Sequence, residues 1–316
     1  MNEHFQQAKQ LLEQASKILL STHERTDGDD LGSVLALAQY FESQGKDVVI
    51  AITGGTPDSL RYLPMSEKVI ESTDRTDFEI VVISGCSVHD RVKNESVLKQ
   101  TAPVINIDHH PDNKMFGKVN VVDPAKSAVA ELTYDLFKYS GWEINHGIAL
   151  CLLTGIVTDT GIFMHSNTQA STLAAAAELM GKGARVSTIT KHTYQGKDIG
   201  SLKAWAKALE NAHYDPAQKM IYSIITEEEL DALGNPPLSA FEGIVETLNK
   251  VPEAKFAMFL KQDKGVIKGS LRSDPHKGVD VKEIAHTLGG GGHKWAAGFS
   301  MIGKLVKQDN GKWEVA

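Results

Sequence analysis

The sequence has little cysteine, no long apolar run and no surplus of positive charge, and each shortage removes a class of protein. Cys86 and Cys151 are its two cysteines, too few for a disulfide framework and suited to a reducing compartment. No apolar stretch approaches the roughly 20 residues that a membrane-spanning helix requires. The segment from Met1 to Ser16 is polar and charged, without the apolar centre of a signal peptide. A cytoplasmic protein with no membrane partner is expected. The net charge of −7 argues against sequence-blind binding to long duplex nucleic acid, which draws its affinity from cationic side chains. Aromatic residues are sparse and none cluster as a base-stacking platform; Tyr194, Trp205 and Trp295 are isolated candidates for that role.

What is present is globular material. At 41% hydrophobic and 23% charged residues, the composition excludes a disordered or collagen-like chain. The 316 residues leave room for two domains with cores of their own. The charge deficit is uneven: residues 1–199 hold 18 Lys and Arg against 25 Asp and Glu, whereas residues 200–316 hold 15 of each. Solvated surface acids explain such a bias in most proteins. Carboxylates that await metal ions are the sharper explanation.

The first half alternates amphipathic stretches with short apolar runs. Residues 5–16 pattern as a helix and Lys17–Thr22 (KILLST) as a strand. A helix over Leu31–Gln44 leads to Asp47–Ile52 (DVVIAI), and Glu79–Ser84 and Pro103–Asp108 are apolar in the same way. Strands alternating with helices predict βαβ units, and runs apolar throughout predict strands covered on both faces, so an α/β fold with a parallel sheet is expected. Such sheets bind ligands beyond the carboxyl ends of their strands, which is where the acidic residues fall. Further helices are expected at Ala128–Tyr139, Gly147–Val157 and Thr168–Gly181. A polar helical stretch from Ser187 to Ala212 reads as a connection. Beyond it, Met220–Ile225, Lys255–Lys261 and Val266–Arg272 pattern as strands and Val279–Leu288 as a helix. The run Gly289–Gly292 then precedes a last strand at Gly298–Ile302. The expected division is a parallel-sheet domain over 1–187, a helical linker over 188–214 and a smaller α/β domain over 215–316.

Four polar clusters carry the chemistry. His23, Asp27 and Asp29 follow the first strand; Asp108, His109 and His110 follow the strand PVIN; Asp159, Thr160 and Gly161 end a helix; and Ser270–Ser273 in the distal region pairs with Gly289–His293. Imidazole with carboxylate is a donor mixture for transition-metal dications. Two such ions about 3.5–4 Å apart suit hydrolysis of a phosphoester, and cations also relieve the repulsion among neighbouring carboxylates. Each cluster alone has a plain structural reading: Asp27 and Asp29 as caps of the next helix, Asp159-Thr160-Gly161 as a turn, four glycines as a flexible loop. In the distal region, Arg offers a planar fork for phosphate oxygens and glycines let backbone amides approach an anion.

The strings HERTDGDDLGS, NIDHH, GIVTDTGIF, GSLRS and VDVKEIAHTLGGGGHKWAAGF, spread from about Lys17 to Phe299, resemble the signatures of the DHH/DHHA1 phosphoesterases, and by length and spacing the nanoRNase/pAp-phosphatase group among them. The resemblance implies a DHH metal-binding domain followed by a DHHA1 substrate-binding domain. It implies two Mn²⁺ ions, with Mg²⁺, Co²⁺ or Fe²⁺ as alternatives, held by His23, Asp27, Asp29, Asp108, His109 and Asp159. His109, His110 and Asp29 become the catalytic candidates, with His110 also touching the phosphoryl group. Arg272, Ser273, Gly290, Gly291, Gly292 and His293 become the substrate-phosphate contacts. Short oligoribonucleotides, dinucleotides or 3′-phosphoadenosine 5′-phosphate (pAp) are the implied substrates. A homodimer is left open.

One position departs from the pattern. A further Asp, normally a carboxylate between two metals, is expected at the end of the strand Val81–Ser84, and the chain has Gly85 there. The site is then either inactivated, or able to hold one ion well and the other poorly, or completed by Cys86, His89 or Asp90. The sequence favours an impaired enzyme over a repurposed scaffold. A cyclic-dinucleotide phosphodiesterase, a pyrophosphatase-like hydrolase and a nucleotide-binding protein with a degenerate metal site are the rival readings. On sequence grounds alone, Gly85→Asp is expected to raise turnover of pAp and of a dinucleotide with Mn²⁺, and equal rates would refute that.

Overall fold

Six apolar segments of the first half join into one parallel sheet. They are β1 (Lys17–Thr22), β2 (Asp47–Ala51), β3 (Val69–Ile70), β4 (Ile80–Ser84), β5 (Val104–Asp108) and β6 (Val119–Val122). Their order is β3-β2-β1-β4-β5-β6 with every pairing parallel. The chain winds outward in one direction from β1 and in the other from β4, so the winding reverses between these two neighbours. In such sheets ligands bind at that reversal, beyond the strands' carboxyl ends.

The computed structural model describes residues 1–24, 26–193, 199–308 and 313–316. Its contacts divide into two compact units, Met1–Gly196 and Lys197–Ala316. In the first unit, alternate strand residues feed opposite faces, as the two-residue period requires. Ile18, Leu20 and Val82 join one large core, and Leu19, Val81 and Ile83 join a smaller one. That double burial is why these strands are apolar throughout. The larger core is closed by helices α1 (Asn2–Gln14), α2 (Gly28–Ser43), α4 (Val129–Ser140), α5 (His146–Asp159) and α6 (Ala170–Gly181). The smaller includes Val97 of the short helix α3 (Glu95–Leu98).

Helix α5 is buried at every position from Ile148 to Val157, the pattern of a helix enclosed on all sides. It packs closely on α2 because two glycines remove the side chains that would separate them. A Cβ on Gly32 would stand 2.4 Å from the Cys151 carbonyl oxygen, and one on Gly155 would stand 3.0 Å from the Asp29 Cα. This approach sets Asp29 on α2 near Asp159 at the end of α5.

The stretch expected as a linker over 188–214 is shared between the units. Helix α7 (Val186–Thr193) seats Ile189 in the first unit's core, whereas α8 (Ile199–Glu210) seats Ala204 and Ala208 in a core of the second. The second unit holds a mixed sheet in the order β11-β12-β10-β9-β8-β7. Its strands are β7 (His213–Asp215), β8 (Met220–Ile225), β9 (Phe256–Asp263), β10 (Val266–Arg272), β11 (Gly291–His293) and β12 (Ala296–Ile302). Short helices α9 (Glu227–Ala232) and α10 (Ile244–Leu248) cover one face with α8, and α11 (Val281–Thr287) covers the other. A separate hairpin pairs β13 (Leu305–Lys307) with β14 (Trp313–Val315). Among the described residues no helix is long and apolar enough to cross a membrane.

Gly32→Ala tests the α2–α5 contact. In an open helix this change stabilises by about 1 kcal/mol. Here the clash with Cys151 is expected to reverse the sign and cost about 1–3 kcal/mol, read from the urea unfolding midpoint.

Candidate metal centre

Beyond the carboxyl ends of β1, β4 and β5, acidic and imidazole side chains gather in two groups. One joins His23, Asp27 and Asp30; the other joins Asp29, His109 and Asp159. In each group the donor atoms lie within 4.8 Å of one another. Five of the six expected ligands are therefore brought together. Asp108 is not among them, and Asp30 enters without having been expected.

Each side chain has a local reason for its place. Asp27 is the N-cap of α2, and its Oδ1 accepts from the backbone amides of Asp29 at 2.9 Å and Asp30 at 3.2 Å. The capping role anticipated from its position is real, and it fixes where this carboxylate sits. Asp29 and Asp30 are successive helical residues, so their side chains diverge by about 100° and join different groups. Asp29 reaches the start of α4, whose own N-cap, Ala128, offers no side-chain acceptor. Its Oδ2 accepts from Val129 N at 2.7 Å and its Oδ1 from Ala130 N at 2.8 Å, where a negative charge is favoured. Asp30 points toward β1 and β4, with Oδ2 2.7 Å from His23 Nε2. Asp159 ends α5; its Oδ2 lies 3.9 Å from His109 Nε2 and accepts from Asn167 Nδ2 at 3.3 Å.

The two imidazoles are held in the same tautomer. His23 Nδ1 donates to the Glu24 carbonyl at 2.5 Å and His109 Nδ1 to the Lys126 carbonyl at 3.1 Å. A carbonyl can only accept, so each Nδ1 carries hydrogen and each Nε2 turns its lone pair toward its carboxylates. Such a backbone partner is the usual device that orients a ligating histidine.

Asp108 organises the DHH turn and stands outside both groups. Its Oδ1 accepts from His110 Nδ1 at 2.6 Å, His109 N at 2.8 Å and His110 N at 3.3 Å, and its Oδ2 from Asn113 Nδ2 at 2.5 Å. Through these bonds Asp108 holds His110 in place. Asn113 and Asn167, which steady Asp108 and Asp159, follow from no spacing in the sequence.

The groups proposed to complete the site near Gly85 are elsewhere. Cys86 is buried, its Sγ donates to the Val88 carbonyl at 3.0 Å, and burial pushes its thiol up to about 11. The His89 ring packs on Phe116 at 5.3 Å between centroids, and Asp90 is exposed.

Like charges crowd this end of the sheet. Burial, then the Asp159 charge, raises Asp29 to about 7, and burial raises Asp159 to about 6. Burial, followed by repulsion from Asp27, Asp29, Asp108 and Asp159, lifts Asp30 well above the ordinary carboxylate range. Burial opposes charge on His109, but the pull of Asp29 and Asp159 outweighs it and raises its pKa. Burial also acts against Asp108, yet the His110 and Asn113 hydrogen bonds prevail and hold it low. Divalent cations fit these groups: they take mixed nitrogen and oxygen donors, and their charge relieves the repulsion.

In the second unit the expected phosphate contacts are already engaged. Arg272 ends β10, with Nε 2.9 Å and Nη2 2.8 Å from Glu246 Oε1 and Nη1 donating to the Leu271 carbonyl at 2.9 Å. Arg272, Lys261, Lys268 and Ser270 line a cleft of about 290 Å³ with Glu246. Ser273 is buried and its hydroxyl donates to the Lys255 carbonyl at 2.8 Å, so it braces the strand end. The glycine run is ordered: Gly290 N donates to the Ala285 carbonyl at 2.8 Å, and Gly291, Gly292 and His293 pair with β12 as an edge strand. A Cβ on Gly290 would lie 2.2 Å from the Gly298 carbonyl oxygen, which explains glycine there without a ligand. Trp205, on α8, packs on the second unit's core, and Lys294 Nζ lies 4.9 Å from the Trp295 ring centroid. Tyr194 lies outside the described residues.

The raised carboxylates set a pH dependence. Between the ordinary Asp value of 3.8 and about 7, Asp29 and Asp159 hold protons in the folded chain that the unfolded chain has released, so stability falls as pH rises. His109, also raised, acts with the same sign, and the Asp108 window lies below. The metal-free Tm is expected to fall from about pH 5 to pH 8, with Mn²⁺ restoring it most at the upper end, where ligation no longer competes with protons. A metal-free Tm that climbs across that window would contradict the charge assignment.

The chain is similar to known proteins over most of its length. Residues 17–156 match the model of the DHH family N-terminal domain and residues 235–309 that of the DHHA1 domain. The chain is 32% identical over 292 residues to the bifunctional oligoribonuclease and PAP phosphatase NrnA of Thermus thermophilus, covering 92% of this chain and 86% of that one. It is 27% identical to the protein of the same name from Bacillus subtilis, covering 90% and 89%. A crystal structure of an exopolyphosphatase-related protein from Bacteroides fragilis superposes with a TM-score of 0.90 at 26% identity, covering 96% of this chain and 92% of that one. With an imidazole-and-carboxylate centre at the switch of a parallel sheet and relatives alike over nearly their whole length, this chain belongs to the DHH/DHHA1 family of phosphoesterases.

Proposed function

We propose that this protein is a divalent-metal-dependent phosphoesterase that hydrolyses short oligoribonucleotides and pAp, with Mn²⁺ as its working ion. The observation that carries the reading is the pair of donor groups, His23 with Asp27 and Asp30, and Asp29 with His109 and Asp159. Relatives named as oligoribonuclease and PAP phosphatase that align over about nine-tenths of the chain support the substrate class.

Divalent cations in these groups would supply Lewis acidity for attack of water on a phosphoester. The chain's own residues do the rest. His23 and His109 present Nε2 because backbone carbonyls hold Nδ1. Asp29 is locked by the α4 amides and Asp27 by those of α2, so neither carboxylate has to be ordered when the ion arrives. His110, oriented through Nδ1 by Asp108, contacts the reacting phosphoryl group. In the second unit Arg272 and His293 are the candidates for binding phosphate, which at Arg272 would compete with Glu246.

The test is a panel of pAp, linear and cyclic dinucleotides, longer RNA oligomers and pyrophosphate, run with and without Mn²⁺. Hydrolysis of pAp and the shortest linear RNAs, abolished by chelation, is expected. His109→Ala and Asp159→Ala are each expected to lower kcat/KM about 100-fold or more, since residues that merely support metal ligands already cost 10–100-fold. Nucleotide binding without turnover under any dication would instead make the protein a binder.

A further inference from the structure

Gly85 and Asp30 occupy the same point in space from opposite sides. Gly85 follows β4 with φ +65°, its amide donating to the Ile107 carbonyl at 2.8 Å. A Cβ built on it would stand 1.4 Å from Asp30 Oδ1 and 2.4 Å from Asp30 Cγ. The space that a side chain at 85 would use is therefore filled by the carboxylate of Asp30. Asp30 is 3% exposed. It is anchored on His23 of one donor group through Oδ2, and its chain neighbour Asp29 belongs to the other.

We infer that the carboxylate expected at the end of β4 is supplied in this protein from the first turn of α2: Asp30 is the ligand between the two donor groups, and Gly85 is glycine because Asp30 needs its room. The inference rests on the metal-dependent reading above. It replaces the view of Gly85 as a damaged position with that of one half of an exchange. The two halves depend on each other. An aspartate at 85 alone would drive its Cβ into the Asp30 carboxylate, and loss of Asp30 alone would leave a void with no carboxylate in it. Aspartate tolerates positive φ better than most residues, so the arrangement can be reversed.

The test is Mn²⁺ binding, by calorimetric titration of the metal-stripped full chain with stoichiometry from elemental analysis, together with the Tm with and without Mn²⁺. Asp30→Asn keeps the size of the side chain and so the fold. It is expected to weaken Mn²⁺ binding about 10–100-fold while leaving the metal-free Tm at or above the wild-type value. Gly85→Asp alone is also expected to weaken binding, opposite to the gain anticipated from sequence. The double variant Asp30→Ala with Gly85→Asp is expected to bind more tightly than Asp30→Ala alone or Gly85→Asp alone, the non-additive result that marks two residues serving one point. Wild-type affinity in Asp30→Asn overturns the inference, and so does a double variant no better than Gly85→Asp alone. Failure of the wild-type chain itself to bind Mn²⁺ sinks the metal-dependent reading instead, and the two failures are distinct.

Discussion

Five carboxylates, those of Asp27, Asp29, Asp30, Asp108 and Asp159, converge beyond the carboxyl end of one parallel sheet, and three of them, Asp29, Asp30 and Asp108, are buried. Like charges withdrawn from water raise one another's proton affinity, and a folded chain tolerates them only with hydrogen-bond donors, protons or cations at hand. The chain spends its donors selectively. Asp108 receives four and stays low, whereas Asp30, Asp29 and Asp159 are raised. That contrast separates a carboxylate that organises the turn after β5 from carboxylates whose mutual repulsion a cation would relieve.

The fold delivers these groups through rigid parts. His23 follows β1 and Asp108 ends β5, at and beside the reversal of strand winding, and α2 opens on Asp27, Asp29 and Asp30. Gly32 and Gly155 allow α2 and α5 to approach until Asp29 and Asp159 share a group. Gly155 takes part directly, since a Cβ there would come within 2.8 Å of Asp29 Oδ1. A chemical site is thus written partly in residues that have no chemistry, because the distance between two helices decides which carboxylates can meet.

Periodicity made much of this visible in advance. Lys17–Thr22, Met220–Ile225 and Val266–Arg272 form strands over the residues anticipated, since uninterrupted apolar runs bounded by polar residues leave few alternatives. β3 and β6 passed unnoticed, being two and four residues long with too little pattern to register. The polar stretch after 187 looked like a tether because its apolar positions are few, yet Ile189, Ala204 and Ala208 are buried. The glycine run suggested a loop; close packing against β12 makes it an edge strand. In the site, motif spacing led to five of the six residues in the two donor groups; Asp108 lies outside both, and Asp30 was not among those expected. Adjacent aspartates on a helix are alike in a string and differ only in direction. What gives Asp30 its meaning is a missing Cβ 55 residues away in sequence, at Gly85, and no spacing rule reports that.

The central claim is that the two donor groups are two cation sites served by one helix start. Anomalous scattering from a Mn²⁺-soaked crystal addresses it most directly. The account predicts two peaks, one against His23, Asp27 and Asp30 and the other against Asp29, His109 and Asp159, with the Asp30 carboxylate touching both. A single peak that leaves Asp30 without contact, or no peak at this end of the sheet, would contradict it.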